Sequence, residues 1–85
     1  MAAKYFVYIL QSDSTRRFYV GQSQDLDGRV DYHNRYGSLA TRNRGPWRLV
    51  YWEEYGTRRE VLRRERDLKH KKSRRYLESL VRASR

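Results

Sequence analysis

Glu65 is an acidic residue at a position where the surrounding pattern predicts an apolar one. It lies four residues after Val61 and three before Leu68, so in a helix its side chain points along the apolar stripe rather than away from it. A carboxylate in that position needs a partner. One candidate is a neighbouring arginine, in a salt bridge, and the other is a hard divalent cation, which prefers carboxylate and water oxygens as ligands. The spacing alone leaves both open.

The chain around Glu65 is strongly basic. Residues 58–75 contain ten Lys or Arg and three acids, which is half of the 20 basic residues in a chain with a net charge of +10. A solvated helix face is the plain explanation, but like charges four residues apart destabilise a helix unless something such as phosphate offsets them. We therefore expect an anionic partner, with nucleic acid the first candidate and an anionic membrane surface the second. The residues expected to contact nucleic acid are Arg58, Arg59, Arg63, Arg64, Lys69, Lys71, Lys72, Arg74 and Arg75.

Two tyrosines, an arginine and a histidine form a second group of interest. Tyr8 and Tyr19 each lie in an aromatic and β-branched segment, and a hairpin of these segments puts both on one face, either directly opposite or diagonal. Arg29 lies one turn before His33 and on nearly the same face of a predicted helix. Taken alone, a tyrosine in a strand or a histidine on a helix is more often structural than catalytic, and the spacing does not change that.

Three strands are expected to position these residues. Aromatic and β-branched residues predict strands over residues 4–10, 17–21 and 47–55, with a loop at 11–16. At the start of the third strand the side chains on both of its faces are apolar, which indicates that it is the central strand of the sheet.

Three helices complete the predicted domain. The first has Ser23 as its N-cap and runs to about Asn34, the second opens with a capping box of Thr57 and Glu60, and Ser73 caps the third. The apolar positions expected to face the core are Val61, Leu62 and Leu68 in the second helix and Leu77, Leu80 and Val81 in the third. The order β-β-α-β-α-α predicts an α+β fold, a three-stranded antiparallel sheet flanked by helices.

Length and composition limit the class of protein. With 85 residues we expect one domain over 1–85, and twelve aromatic residues favour a folded chain over a disordered one. The absence of cysteine excludes disulfides and thiolate metal sites. The sequence has no apolar run near the roughly 20 residues that span a bilayer and no signal-peptide pattern, so we expect a cytoplasmic protein.

Five blocks of the sequence, in order, resemble the GIY-YIG nuclease superfamily, and in particular its small stand-alone bacterial members. The two halves of the motif that names the superfamily are matched by Val7-Tyr8-Ile9 and Tyr19-Val20-Gly21. The later blocks are Arg29, ten residues past Tyr19; the pair His33-Asn34; Pro46-Trp47 with Leu49-Val50-Tyr51; and Glu65 with Leu68-Lys69. The resemblance extends from Tyr5 to about Leu80 and implies the fold predicted above.

The resemblance also implies hydrolysis of a phosphodiester with one divalent metal ion, Mg²⁺ or Mn²⁺. On this sequence Glu65 would hold the metal, and Arg29 would clamp the scissile phosphate and offset the charge that develops in the transition state. Tyr8 and Tyr19 would position the attacking water, one of them as its base, and His33 would relay or accept a proton. An unperturbed tyrosine has a pKa of about 10, so a tyrosine base predicts activity that rises towards alkaline pH.

The expected substrate is DNA rather than RNA, with branched, single-stranded or damaged features rather than a specific base sequence. A protein partner in a repair or recombination assembly is also expected. The alternative is a non-catalytic nucleic-acid-binding module that retains the fold, and a third possibility is an RNA-associated structural protein. A binding module would tolerate the substitution Glu65→Ala, whereas an enzyme would not.

Overall fold

The computed structural model describes residues 3–71 and 73–84 and has the element order β-β-α-β-α-α. The strands are β1 (Tyr5–Ser12), β2 (Phe18–Ser23) and β3 (Trp47–Tyr55), and the helices are α1 (Leu26–Arg35), α2 (Arg58–Lys71) and α3 (Arg74–Ala83). The strands form one antiparallel sheet in the order β2-β1-β3. The predicted α+β class and element order are confirmed, and β1 extends two residues into the predicted loop.

The central strand is β1, so the prediction that the third strand is central is wrong. β3 has consecutive apolar residues because it contains a bulge, not because both of its faces are buried. Ile9 pairs with Tyr51 but Leu10 pairs with Leu49, which makes Val50 the extra residue. Val50 and Tyr51 consequently pack against the same core cluster.

Each face of the sheet carries its own core. On one face, Tyr8 and Leu10 of β1 pack with Trp47, and residues of α1 lie against this cluster. On the other face, Val7 and Ile9 pack against α2 and α3, whose buried residues are Val61, Leu68, Leu77 and Val81. The alternation of β1 therefore sends neighbouring residues into two different cores.

The helix caps agree with the sequence at two of three helices. Thr57 Oγ1 accepts a hydrogen bond from the backbone N–H of Glu60 at 3.2 Å, and Ser73 Oγ accepts one from Tyr76 at 3.2 Å, as predicted. The prediction of Ser23 as the first N-cap is wrong, because the carboxylate of Asp25 accepts from Gly28 N at 3.0 Å instead. An aspartate combines this hydrogen bond with a favourable charge at the positive end of the helix dipole.

One predicted core residue of α2 lies outside the core. Leu62 is exposed, whereas Val61 and Leu68 are fully buried. The reason is helix geometry, since neighbouring residues are rotated by about 100° around the axis and Val61 already faces the sheet. Within residues 3–71 and 73–84, no helix combines the length and apolar character that crossing a membrane requires.

Candidate active site

A buried chain of hydrogen bonds runs from Tyr8 into the loop after α1. The Tyr8 hydroxyl lies 3.1 Å from Nε2 of His33, and Nδ1 of His33 lies 2.9 Å from Oγ1 of Thr41. Tyr8 is 1% exposed and His33 2%. The Thr41 hydroxyl also accepts a hydrogen bond from the backbone N–H of Ser38 at 2.9 Å and lies 3.3 Å from the Ser38 hydroxyl.

These contacts allow a consistent set of donors and acceptors. If Thr41 donates its single proton to the Ser38 hydroxyl, its oxygen can accept from both Ser38 N–H and His33 Nδ1–H. His33 is then the tautomer whose Nε2 is unprotonated, and it accepts a hydrogen bond from the Tyr8 hydroxyl. In this tautomer the loop orients a neutral histidine as a proton acceptor for a tyrosine.

Gly21 makes room for the Tyr8 ring. Tyr8 and Gly21 are direct partners across β1 and β2, and a Cβ atom at position 21 would lie 2.5 Å from the Tyr8 hydroxyl oxygen and 2.6 Å from the ring. Gly21, the last residue of the second half of the motif, therefore provides the space for Tyr8 of the first half. Because glycine has no side chain, Tyr8 can lie across β2.

Tyr19 completes an aromatic group on this face. The register pairs Tyr19 with Leu10, so Tyr8 and Tyr19 are diagonal neighbours, which is the second of the two arrangements allowed by the sequence. The ring centroid of Tyr19 lies 6.4 Å from that of Tyr8 and 4.8 Å from that of His33. The hairpin and α1 therefore bring Tyr8, Tyr19 and His33 together.

Arg29 lies on the exposed side of the same group. Its guanidinium carbon is 4.7 Å from the centre of the Tyr32 ring, and the side chain is exposed to solvent. Burial raises the pKa of Tyr8 to about 12, and the nearby Arg29 guanidinium opposes that rise. Burial also lowers the pKa of His33 from its ordinary value of 6.5, and the positive charge of Arg29 lowers it further. His33 is therefore neutral near pH 7.

Glu65 reaches the group from α2. Burial is the main cause of the raised pKa of Tyr8, and the negative charge of Glu65 adds to it, so Glu65 and Arg29 act on the same hydroxyl group. The Glu65 side chain is 20% exposed, and its Oε2 lies 3.3 Å from Nζ of Lys69, one helical turn further on. Lys69 and Tyr19 in turn line one open hollow between β2 and the helices. The structure thus shows a salt bridge for Glu65, but its partner is a half-exposed lysine and not one of the arginines suggested by the sequence.

The donor set fits a magnesium-type ion bound by one carboxylate. In the part of the chain that the structure describes, no three His, Cys, Asp or Glu side chains come together in a group that could hold a metal. Mg²⁺ does not need such a cage, since it keeps several waters and binds through one or two carboxylates together with substrate phosphates. A partly solvent-accessible Glu65 would supply that carboxylate, which in this structure is paired with Lys69.

Three residues that position the site were not predicted to do so. Asn34 holds the first residue of β3 through its side-chain amide, which accepts from Trp47 N at 2.7 Å and donates to Trp47 O at 2.9 Å. The Trp47 indole N–H donates to the Thr41 carbonyl at 2.9 Å and so fixes the loop that holds His33. The pair His33-Asn34 and Trp47 belong to the recognised blocks, but Thr41 lies in a loop without any periodic signal.

The basic residues expected to contact nucleic acid divide into three groups. Lys72 lies outside the described residues. Arg64 is only partly exposed and donates to both Glu53 oxygens, at 2.8 and 3.0 Å, so it is not available for phosphate and we remove it from the set. The remaining residues are exposed: Arg58, Arg59, Arg63, Lys69, Lys71, Arg74 and Arg75. Of these, Arg74 is paired with Glu78 at 2.8 Å.

One class of catalytic domain is defined by a three-stranded sheet that carries these residue types. They are a tyrosine pair in the β1-β2 hairpin, an arginine and a histidine on α1, and a glutamate on α2. The chain belongs to the GIY-YIG catalytic domain family, whose sequence model matches residues 4–77.

Its relatives carry the name UPF0213. Proteins of that name from Staphylococcus aureus strains Mu3 and N315 are each 42% identical to this chain over 66 residues, which cover 76% of this chain and 79% of each relative. The solution NMR structure of a UPF0213 protein from Bacillus halodurans is similar to this one, with a TM-score of 0.59 and 37% identity, and covers 94% of this chain and 84% of the other.

Proposed function

We propose that this protein is a divalent-metal-dependent endonuclease that hydrolyses phosphodiester bonds in DNA. The observation that supports this most directly is the hydrogen bond between the Tyr8 hydroxyl and Nε2 of a neutral, buried His33, beside Arg29 and Glu65. A purely structural role would not need a proton acceptor, a cation and a carboxylate around one hydroxyl group. Hydrolysis of a phosphodiester uses all three.

The proton of the attacking water is removed by a relay. With its pKa raised to about 12, Tyr8 carries its proton at neutral pH, so a preformed phenolate is scarce. The water donates its proton to the Tyr8 oxygen as Tyr8 passes its own proton to Nε2 of His33. Thr41 keeps His33 in the tautomer that can accept it. This route avoids a free phenolate and makes the His33 imidazolium the temporary store of the proton.

Arg29 and Glu65 act on the phosphate. The exposed guanidinium of Arg29 can donate two hydrogen bonds to phosphate oxygens and offset the charge that develops there. Glu65 would hold the metal, which when bound polarises the phosphate and stabilises the leaving oxygen. Tyr19, whose ring packs at a tilt against that of His33, holds the water in line with the phosphorus.

The substrate is selected by shape rather than by base sequence. The exposed cations of α2 and α3 suit phosphate contacts, which carry no sequence information and make binding fall steeply with salt. We therefore expect cleavage of DNA with single-stranded, branched or damaged features.

The test is strand cleavage of labelled duplex, single-stranded, flap and four-way-junction DNA with Mg²⁺ or Mn²⁺. Wild-type protein should cut at least one of these, and both chelator and Glu65→Ala should abolish the cut. RNA of the same sequence should be cut more slowly. Salt-sensitive binding by both proteins without cleavage by either would favour a binding module instead.

A further inference from the structure

Trp52 shares the face of the sheet that carries Tyr8. The two residues are direct partners in the β1-β3 pairing, so their side chains leave the same face with Cβ atoms about 5 Å apart. The bulge at Val50 produces this placement. It shifts the alternation of β3 so that Trp47 and Trp52, five residues apart, both lie on the Tyr8 side, while Glu53 faces α2.

Trp52 is not covered by the helix on that face. α1 packs on the cluster of Tyr8, Leu10 and Trp47 and leaves Trp52 54% exposed. Tryptophan is large enough to contribute strongly to a core, so an exposed indole on the sheet face that carries a buried polar site calls for a function. Both neighbours along the strand that face α2, Tyr51 and Glu53, are engaged in hydrogen bonds, which makes the exposure of Trp52 a local feature of this face.

We infer that Trp52 is a base-stacking residue that selects DNA with an unpaired nucleotide next to the scissile phosphate. The position of that phosphate rests on the proposed function, whereas the stacking does not depend on cleavage. A phosphate held by Arg29 near Tyr8 would place the adjoining nucleotide over the open sheet beside it. A flat indole there offers one face to a base, and stacking of this kind tolerates every base.

The occupant is an unpaired base rather than a duplex or an apolar protein surface. In a duplex each base is already stacked on both sides and paired at its edge, so neither face can meet Trp52 without unpairing. The net charge of +10 favours a polyanion over an apolar partner. Since stacking needs no base-specific hydrogen bonds, this selection is for unpaired structure and not for sequence.

The experiment is a titration of the protein with single-stranded and duplex oligonucleotides of equal length, in chelator so that no cleavage occurs. The chain has two tryptophans, and Trp47 is only 5% exposed, so a base that stacks on Trp52 quenches mainly Trp52 fluorescence. Single strands should quench the emission and duplex should not. Trp52→Ala should weaken single-strand binding roughly five- to hundredfold and leave duplex binding unchanged.

Two variants act as controls. Trp52→Phe keeps a smaller ring and should bind single strands with intermediate affinity, which separates stacking from loss of folding. Leu39→Ala removes another exposed apolar side chain, away from the sheet, and should change nothing.

The outcomes separate this inference from the proposed function. Quenching by single strands with no cleavage of any substrate would support stacking while refuting the enzyme. Cleavage by wild type together with unaltered single-strand affinity in Trp52→Ala would overturn the role of Trp52. A change of the sedimentation coefficient in Trp52→Ala without a change in DNA affinity would also overturn it, in favour of a protein interface.

Discussion

Two clusters that contain tyrosine, arginine and glutamate are centred on opposite faces of the same sheet. In only one of them are the charged groups paired within the cluster. On the α2 side, which we call the Glu53 cluster, the members are Glu53, Arg64, Tyr51, Tyr55 and Tyr76. The Tyr8 cluster is centred on the other face, with Tyr8, Tyr19, Arg29 and His33, and Glu65 acts on it from α2. Apart from His33, the two clusters contain the same residue types, and they differ in how their charges are paired.

In the Glu53 cluster every strong donor meets an acceptor. Arg64 binds both oxygens of Glu53, Tyr55 donates to one of them at 2.6 Å, and Tyr51 donates to the other. Burial alone would raise the pKa of Glu53, but hydrogen bonds from Arg64 and the two tyrosines outweigh it and lower the pKa. Arg64 also reaches Asp67 at 2.8 Å. The result is a network in which the guanidinium of Arg64 is fully engaged by carboxylates and a tyrosine of the protein itself.

In the Tyr8 cluster the charges remain accessible. Arg29 is exposed and stacks on Tyr32, while Glu65 pairs only loosely, at 3.3 Å, with a half-exposed Lys69. Both ions influence the Tyr8 hydroxyl, yet neither neutralises the other. A candidate functional site is therefore distinguished by charges that the fold brings together and leaves accessible to solvent.

The largest contrast is expected between Glu65→Gln and Glu53→Gln. Glu65→Gln should lower cleavage at least about a thousandfold, because several kcal/mol of transition-state stabilisation are lost, and should leave stability nearly unchanged. Glu53→Gln should destabilise the fold by about 2–3 kcal/mol, because Arg64 loses its charged partner in a partly buried place. Urea unfolding and cleavage rates, measured on both variants, check this. Equal loss of stability in the two would break the distinction between the clusters.

The second-largest effect on cleavage activity is expected from His33, the proposed proton acceptor, which also makes the activity depend on pH. His33→Gln keeps a hydrogen-bonding group but cannot accept a proton, so we expect a few-hundredfold loss. In the wild type, protonation of His33 blocks the relay. Since its pKa is lowered from 6.5, kcat/KM should fall only below that pH, and stay level from about pH 7 to 9.5.

The pH profile also distinguishes the relay from a preformed phenolate. A phenolate whose pKa is about 12 would grow tenfold with each pH unit across this range, and activity would grow with it. A continuous rise to pH 9.5, as the sequence analysis expects for a tyrosine base, would therefore count against His33 as acceptor.

Gly21→Ala should displace the Tyr8 hydroxyl. The added methyl would lie 2.5 Å from the hydroxyl oxygen, and the ring is enclosed on its other sides, so it has to shift. We expect about a hundredfold lower activity from this displacement and about 1–3 kcal/mol lower stability from overpacking. A crystal structure of the variant with Tyr8 unmoved, together with full activity, would disprove the role given to Gly21.

The smallest effect is expected for Thr41→Val. Valine has the same shape but removes the acceptor for the buried His33 Nδ1–H and for the partly buried Ser38 N–H. Activity should fall about tenfold because the tautomer is no longer fixed, and stability should fall by about 1–3 kcal/mol. Thr41→Ser keeps the hydroxyl and should restore both values. NMR of the His33 ring nitrogens would show the tautomer directly.

The elements of this fold were largely predictable from local patterns. β3 spans the predicted residues 47–55, and Thr57 and Ser73 open their helices as predicted, because alternation and capping act over a few residues. The position of β3 in the sheet was not predictable. A bulge and a doubly buried strand both produce consecutive apolar residues, and only the pairing with β1 separates them.

For the candidate site, the sequence predicted which residues belong to it better than it predicted how they contact one another. The five residues of the Tyr8 cluster came from the motif blocks, but the approach of Glu65 to Tyr8 depends on how α2 crosses the sheet. Thr41 sits in an aperiodic loop, and strict alternation from Trp47 would have placed Trp52 on the opposite face. Both positions depend on contacts between residues far apart in sequence.

β1 is buried without interruption from Val7 to Ser12 and divides its side chains between both cores. Neither core can open without breaking the hydrogen bonds that pair β1 with β2 and β3. The amides of β1 should therefore exchange with solvent only through global unfolding. Tyr8 is part of this strand, and its hydroxyl cannot become mobile on its own. The geometry of the Tyr8 cluster and the folded state therefore form a single cooperative unit, and on heating the proposed activity should be lost together with the sheet.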